Sequence, residues 1–479
     1  MLAIEVIAAD LSAVSAPVKA PVLGSRGRPV APAAAGVLAV MVVALLLAPC
    51  LAAWSETPAV TLPQGVDLNK PLSLVDAVRV AIANSPRLPI ATETAKRAEA
   101  SAVQARAAKL PELTAGYDWA TGETAAARHR STSHTLALEL NQTFYQSGLK
   151  ESIRAAEESA KVSWHGVADT QRQLILDVAT DYYAAQAALA YVQVSRRSVM
   201  SSRQHLDAVE ARIEQELAAK ADRYAFDVEL AQAQVQAISA ENQAEVALNA
   251  LKTVMGLPAD QPLQLADTLG RPVKPERLPD LVAQAYAARP DIRQLEGQVE
   301  VARQNLRIAQ INRRPVVSAG GSAGYGDYNG DTDDKWQVQV GVSLPLYDGD
   351  FTRAKENSAR SALTIAEENL RQAKIEISAE VERSYRNAIL SDARIDAADA
   401  AAKSAQTSLD AAQGKYLEGL ANVVEVTDAE LRLREADVAL VQAQYDYNSA
   451  LAALRAALGQ AAAPGTEKLI TGSPAPASK

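Results

Sequence analysis

Two hydrophobic patterns take turns along this chain. One recurs about every 3.6 residues and predicts helices; the other recurs every second residue and predicts strands. The helical pattern opens with Leu72, Leu74, Ala77, Val78, Ala81 and Ile82, with Ser73 placed to cap it. Asn84-Ser85-Pro86 interrupts it, and a second helix runs from about Pro86 to Lys109, where Pro111 ends it. The period then changes. Leu113, Ala115, Tyr117 and Trp119 alternate with Thr114, Gly116, Asp118 and Ala120. After a polar loop, Leu136, Leu138 and Leu140 alternate with Ala137, Glu139 and Asn141. These predict a hairpin with strands at about 112–120 and 134–145. From Gly148 to about Ala218 the pattern is helical again; at 1.5 Å per residue that is roughly 105 Å, which asks for lateral partners of similar length. A return helix spans about Asp222 to Val254 and stops at Gly256-Leu257-Pro258.

The same succession then repeats. After a Pro-rich connector, 262–279, a short helix covers Leu281–Ala288 and a second covers Pro290–Asn312. Val317, Ala319, Gly321, Ala323 and Tyr325 share one strand face; an acidic loop, Asp327–Lys335, follows. Trp336, Val338, Val340, Val342 and Leu344 then alternate with Gln337, Gln339, Gly341 and Ser343. The strands are placed at about 316–326 and 336–347. A long helix, Phe351–Leu417, carries a heptad-like stripe that includes Leu370, Ile377, Val381, Ala388, Ile395, Ala402 and Leu409. A Gly419 turn precedes a last helix that restarts after Asn422 and runs to Gly459. Punctuating residues recur at a nearly fixed spacing. Glu216 pairs with Gly419, Asp222 with Glu425 and Gly256 with Gly459 at 203 positions; Pro86 pairs with Pro290 and Pro111 with Pro315 at 204. The chain is therefore two copies of one unit, 70–258 and 278–461, with a polar tail, 462–479, expected to be disordered.

Composition agrees with long, closely packed helices. Alanine dominates, aromatic residues make up 4%, and the net charge of −9 without basic clusters argues against a nucleic-acid partner. Cys50 is the lone cysteine and the four histidines, at 129, 134, 165 and 205, are scattered, so no disulfide framework and no metal motif is legible. No phosphate loop or paired nucleophile and base appears, which predicts neither enzyme activity nor a cofactor. At the N-terminus Arg26 and Arg28 precede twelve apolar residues, Val37–Ala48, too short a run to span a bilayer, and Ala52 and Ala53 offer a cleavage site. Residues 1–53 thus read as a secretory signal with a long leading region. The run Leu46-Leu47-Ala48-Pro49-Cys50 alternatively resembles a lipoprotein box, apart from Pro49.

One stretch carries a resemblance. Tyr416-x-x-Gly419-x-x-x-x-x-Glu425-x-x-Asp428-Ala429, followed by Tyr445-Asp446-Tyr447, resembles the second repeat of the outer-membrane efflux proteins, the TolC family, and the likeness extends over both repeats. It implies a mainly helical fold with a β-barrel part: a TolC-like trimer in which each protomer gives four strands to one barrel and long antiparallel helices to a periplasmic tunnel. It also implies that Glu425 and Asp428 stand at the periplasmic tip as inward-facing acidic residues, two stacked rings in a trimer, forming a gate that selects cations. Tyr416 and Asp222 match positions of the family's tip network. Here the sequence departs, because Ala421 stands where some relatives have a bridging Arg and Glu216 where the family usually has Gly. The first-repeat turn is then either continuous helix or a strained loop.

Elementary constraints lead the same way. Four strands cannot close a transmembrane barrel, and an open edge in lipid leaves peptide groups unpaired, so protomers must pool strands if these enter a membrane. Spacing alone does not choose between two and three protomers; the resemblance implies a homotrimer seated in outer-membrane lipid and extending into the periplasm. It also implies a periplasmic adaptor (membrane fusion) protein and an inner-membrane transporter as partners. The expected function is the exit duct of a tripartite export system, with type I protein secretion favoured over small-molecule efflux. A non-pore periplasmic coiled-coil scaffold is the alternative of another class, and on spacing alone Glu425 and Asp428 read as a solvated helix face.

Overall fold

A computed structural model describes Pro63, residues 66–68, 70–124, 129–216, 219–266, 278–311, 314–328, 331–462 and 465–466. Residues 1–53, expected to be a secretory signal, lie outside the described residues together with Cys50. The first repeat contains α1 (Leu74–Asn84), α2 (Arg87–Ala107), β1 (Glu112–Thr124), β2 (His129–Tyr145), α3 (Leu149–Glu214) and α4 (Lys220–Met255). The second keeps the same order with α5 (Leu278–Ala288), α6 (Pro290–Ile311), β3 (Val316–Tyr328), β4 (Asp331–Ser343), α7 (Phe351–Leu417) and α8 (Val423–Ala457).

Local chemistry fixes the ends of these elements. The Ser73 hydroxyl accepts from the Asp76 amide and starts α1; the Asn422 side chain accepts from the Glu425 amide and starts α8. Pro86 and Pro290 separate each short helix from the next. Both return helices end in a left-handed glycine, Gly256 at φ 71° and Gly459 at φ 73°. In each the following amide reaches back to close the last turn, Leu257 to Lys252 and Gln460 to Arg455. A Cβ on Gly256 would stand 2.6 Å from the Asn84 carbonyl oxygen, and one on Gly459 would stand 3.0 Å from the Ala288 carbonyl carbon. The two glycines thus abut the ends of α1 and α5, equivalent helices, and the duplication read from spacing is a duplication of packing.

The four strands form one antiparallel sheet in the order β1-β2-β3-β4. Its register lines up the alternations of all four strands. Leu113 faces Leu140, Leu140 faces Gly321 and Gly321 faces Val338; one step along, Ala115, Leu138, Ala323 and Trp336 form the next row. On the other face Thr114, Glu139, Ser322 and Gln337 share a row. One surface is therefore apolar across all four strands in these rows, with Trp336 80% and Val340 73% exposed, and turns polar toward the hairpin ends, where Asp334 joins the row of Tyr117, Leu136 and Tyr325; the opposite surface is polar. The hairpins are tighter than the sequence suggests. Much of the expected polar loop between β1 and β2 is strand, as is nearly all of 327–335, because ladder pairing carries β3 to Tyr328 and starts β4 at Asp331. Pairing ends at Ser343, before Leu344.

The helices pack by the stripes that predicted them. In α7, Ile377, Val381, Ala388, Ile395, Ala402 and Leu409 are buried. α3, 66 residues or about 99 Å long, lies against α1, α2, α4, α6 and α8. A core of Val78, Leu174, Val178, Tyr182, Leu251 and Met255 joins α1, α3 and α4. Its counterpart, Leu281, Ile292, Ile377, Val381 and Leu454, joins α5, α6, α7 and α8. Two buried arginines, Arg172 and Arg289, donate to the Ala456 and Ala457 carbonyls, both at 3.1 Å, and satisfy the C-terminal end of α8. The tail expected to be disordered from 462 begins packed: Ala462 and Thr466 are buried, and Gly465 lies beside Val75 of α1.

Candidate functional site: the helical tip

The α3–α4 and α7–α8 turns lie at the end of the helices far from the sheet. Their equivalent residues are solved differently. Gly419, at φ 76°, ends α7 with the amide of Leu420 on the Lys415 carbonyl (2.8 Å) and its own on Tyr416 (3.1 Å). Glu216 takes the same place after α3 at φ 59°, its amide on the Ile213 carbonyl at 3.0 Å. Of the two alternatives for this turn, the strained loop is the one that occurs, since a side chain in the left-handed region is disfavoured.

Asn422 fixes the start of α8 and thereby the faces of its first turns. Val423, Val426, Ala429 and Glu430 turn inward and are buried. Glu425 and Asp428 stand on the opposite face, exposed. Glu425 is paired with Lys415 across the turn (3.3 Å); Asp428 makes no hydrogen bond or ion pair among the described residues. The Lys415 pairing was not expected and, being solvent-exposed, contributes little.

Tyr416 and Asp222 do come together, but without a direct bond. Burial first, and then the nearby Asp222 carboxylate, raise the Tyr416 phenol above its ordinary pKa; its buried hydroxyl has no partner. Arg212, in the last turn of α3, supplies the cation that Ala421 cannot. Its Nη1 donates to the Tyr416 and Leu417 carbonyls at 2.9 and 3.0 Å, and its guanidinium lies 5.0 Å over the Tyr416 ring. One arginine thus caps the C-terminus of α7 from the other hairpin. Phe226 packs edge-on against Tyr416 and His205, in a small core with Leu206, Val209, Leu230 and Val423. Sequence reading missed Arg212 because a basic residue in a helix's last turn looks like a cap for its own helix.

Just inside the tip lies a polar cluster that spacing could not show, since its members come from three helices. His205 of α3 places Nδ1 3.6 Å from Oε2 of Glu430 on α8, and Glu229 of α4 completes the group. Glu430 accepts from Ser201 (3.1 Å), and the Gln413 side-chain amide meets His205 Nε2 at 2.9 Å. Burial, and then the Glu430 charge, push the Glu229 carboxyl up to about 7; burial lowers His205 against the pull of Glu430.

A family model described as outer membrane efflux protein matches residues 77–257 and 281–460, one copy in each repeat. The chain belongs to that family. This efflux-family chain is 26% identical over 400 residues to the outer membrane protein TolC of Vibrio cholerae, covering 81% of the chain and 90% of the relative. The alkaline protease secretion protein AprF of Pseudomonas aeruginosa is 24% identical over 409 residues, 80% of the chain and 84% of the relative. The pyoverdine export outer membrane protein OpmQ of the same organism is 26% identical over 401 residues, 79% and 83%. The fold is similar to that of the crystallised Vibrio cholerae outer membrane protein VceC, with a TM-score of 0.71 at 20% identity over 81% of this chain and 96% of that one. This member of the family is an outer-membrane efflux channel reaching into the periplasm, a conduit and not an enzyme. That displaces the pore-free scaffold.

Proposed function

We propose that three copies of this chain pool their sheets into one twelve-stranded barrel and their helices into a tunnel, forming the exit duct of a tripartite export system. The observation that carries this is the sheet itself. Its edges, β1 and β4, have unpaired ladder groups, and its apolar face crosses all four strands with large exposed side chains such as Trp119, Leu138, Tyr325 and Val340. Apolar residues left outside on the helices, Val228, Val235, Ile238 and Val246 of α4 and Ile365 and Ile389 of α7, supply surface for neighbouring protomers. In such a trimer Glu425 and Asp428 form two rings of carboxylates around the periplasmic entrance, while Arg212, Tyr416 and Asp222 hold each protomer's hairpins together. A periplasmic adaptor and an inner-membrane transporter engage the tip and deliver substrate. Type I protein secretion is the favoured task, supported by the likeness to a protease secretion protein. The comparable likeness to a pyoverdine exporter supports small-molecule efflux as the second reading.

Crosslinking in cells followed by purification in detergent tests this. The expected product is a trimer carrying an adaptor and a transporter, whose identity chooses between the two tasks. A stable, water-soluble monomer with intact hairpins would contradict the duct.

A further inference from the structure

The His205–Glu229–Glu430 cluster has no part in the gate proposed above. Each of the three residues can offer one ligand atom, and these atoms all lie within 4.8 Å of one another. Nδ1 of His205 and Oε2 of Glu229 are buried and make no hydrogen bond, while Glu430 is 4% exposed. Two buried carboxylates facing each other with unused lone pairs demand a positive charge or a shared proton. Arg434 offsets part of this, since its guanidinium also lowers the Glu229 carboxyl, but its nearest bond is to Ser198 (3.4 Å).

We infer that His205, Glu229 and Glu430 bind one divalent transition-metal ion per protomer, joining α3, α4 and α8 just inside the tip. The 3.6 Å between His205 Nδ1 and Glu430 Oε2 is long for a hydrogen bond. It is close to the edge of a ligand tetrahedron built on bonds of about 2.0–2.2 Å, which is about 3.3–3.6 Å. One imidazole and two carboxylates suit zinc and its neighbours better than magnesium or calcium, which take oxygen donors alone. Around the ligands stand the outer partners that metal sites use. Ser201 and Ser202 donate to the two carboxylates, and Gln413 meets His205 Nε2 through its amide nitrogen; with the amide's nitrogen and oxygen exchanged, the oxygen would hold the proton on Nε2 and leave the Nδ1 lone pair free. A cleft of about 210 Å³ lined by Ser198, Ser201, Gln413, Glu430, Leu433 and Arg434 gives an ion a way in. The ion would fasten the first-repeat hairpin to the second within one protomer, independently of the gate rings.

The test uses the full chain in detergent, stripped with a chelator and titrated with zinc chloride against a chromophoric competitor. Glu425→Ala/Asp428→Ala, which lacks the rings, should bind one zinc per chain, and wild type at least one. His205→Ala and Glu430→Gln should bind at least about tenfold more weakly, the lower end of what even an outer-shell partner is worth. Crystals of zinc-loaded wild type should show an anomalous peak among the three side chains, a result that does not depend on any variant folding. Absence of stoichiometric binding by wild type would overturn the site in favour of a carboxyl pair sharing a proton. So would full affinity in both His205→Ala and Glu430→Gln, or loss of the zinc only in the Glu425/Asp428 variant.

Discussion

Arg212→Ala should loosen the helical tip, and the size of the effect follows from its contacts. The side chain makes two bonds from a cation to the last carbonyls of α7. At the low end of about 1.5–3 kcal/mol each, suited to a half-buried group, they are worth about 3 kcal/mol together. Stacking over Tyr416 adds about 0.5–1 kcal/mol. Against this, Arg212 Nε is buried without a partner, and deleting it returns about 1–2 kcal/mol. The net loss is about 2 kcal/mol, confined to the tip because the sheet and the two main helix cores are remote from it. Local opening should therefore rise about 30-fold. Hydrogen exchange at the amides of Glu418, Gly419 and Leu420, which close the end of α7, reads this directly. Arg212→Lys should fall between, since it keeps the charge without the fork. Asp222→Ala should change exchange only severalfold, because Asp222 makes no direct bond to Tyr416. Equal protection in Arg212→Ala and wild type would refute the reasoning, and a larger effect from Asp222→Ala would move the lock to that carboxylate.

On the sheet, Arg at Val340 should cost about 2–4 kcal/mol near the bilayer midplane and reduce the heat resistance of the assembled trimer, whereas Arg at Gln339 should be far milder; equal effects would contradict the assigned faces. At the repeat ends, Gly256→Ala should lower the thermal midpoint more than Gly419→Ala. Both incur the left-handed cost of about 1–2 kcal/mol, but only at Gly256 does a Cβ strike backbone, the Asn84 carbonyl.

Periodicity made most of the fold legible. α7 begins and ends at Phe351 and Leu417, where its stripe and the Gly419 turn place it, and the β4 alternation assigned its apolar face because a period of two leaves one choice of register side. The hairpin loops were misjudged for a physical reason: Asp331 and its neighbours look like turn residues, but the backbone ladder pairs them with the end of β3 and carries them into the strand. The motif singled out Glu425 and Asp428, and their exposed position on α8 follows from the Asn422 start of that helix. Arg212, and the grouping of His205, Glu229 and Glu430, were not, because each depends on contacts between residues at least 24 positions apart that only the crossing of helices creates.

Single-channel current in planar bilayers, wild type beside Glu425→Ala/Asp428→Ala, tests the central claim most directly. If the two carboxylates ring the entrance of an export duct, wild type prefers cations and is blocked by multivalent cations added on the periplasmic side, because rings of fixed negative charge concentrate them. The double variant should then lose the block and most of the preference. Selectivity and block unchanged in the variant would place both residues on an ordinary solvated helix face and put the gate elsewhere.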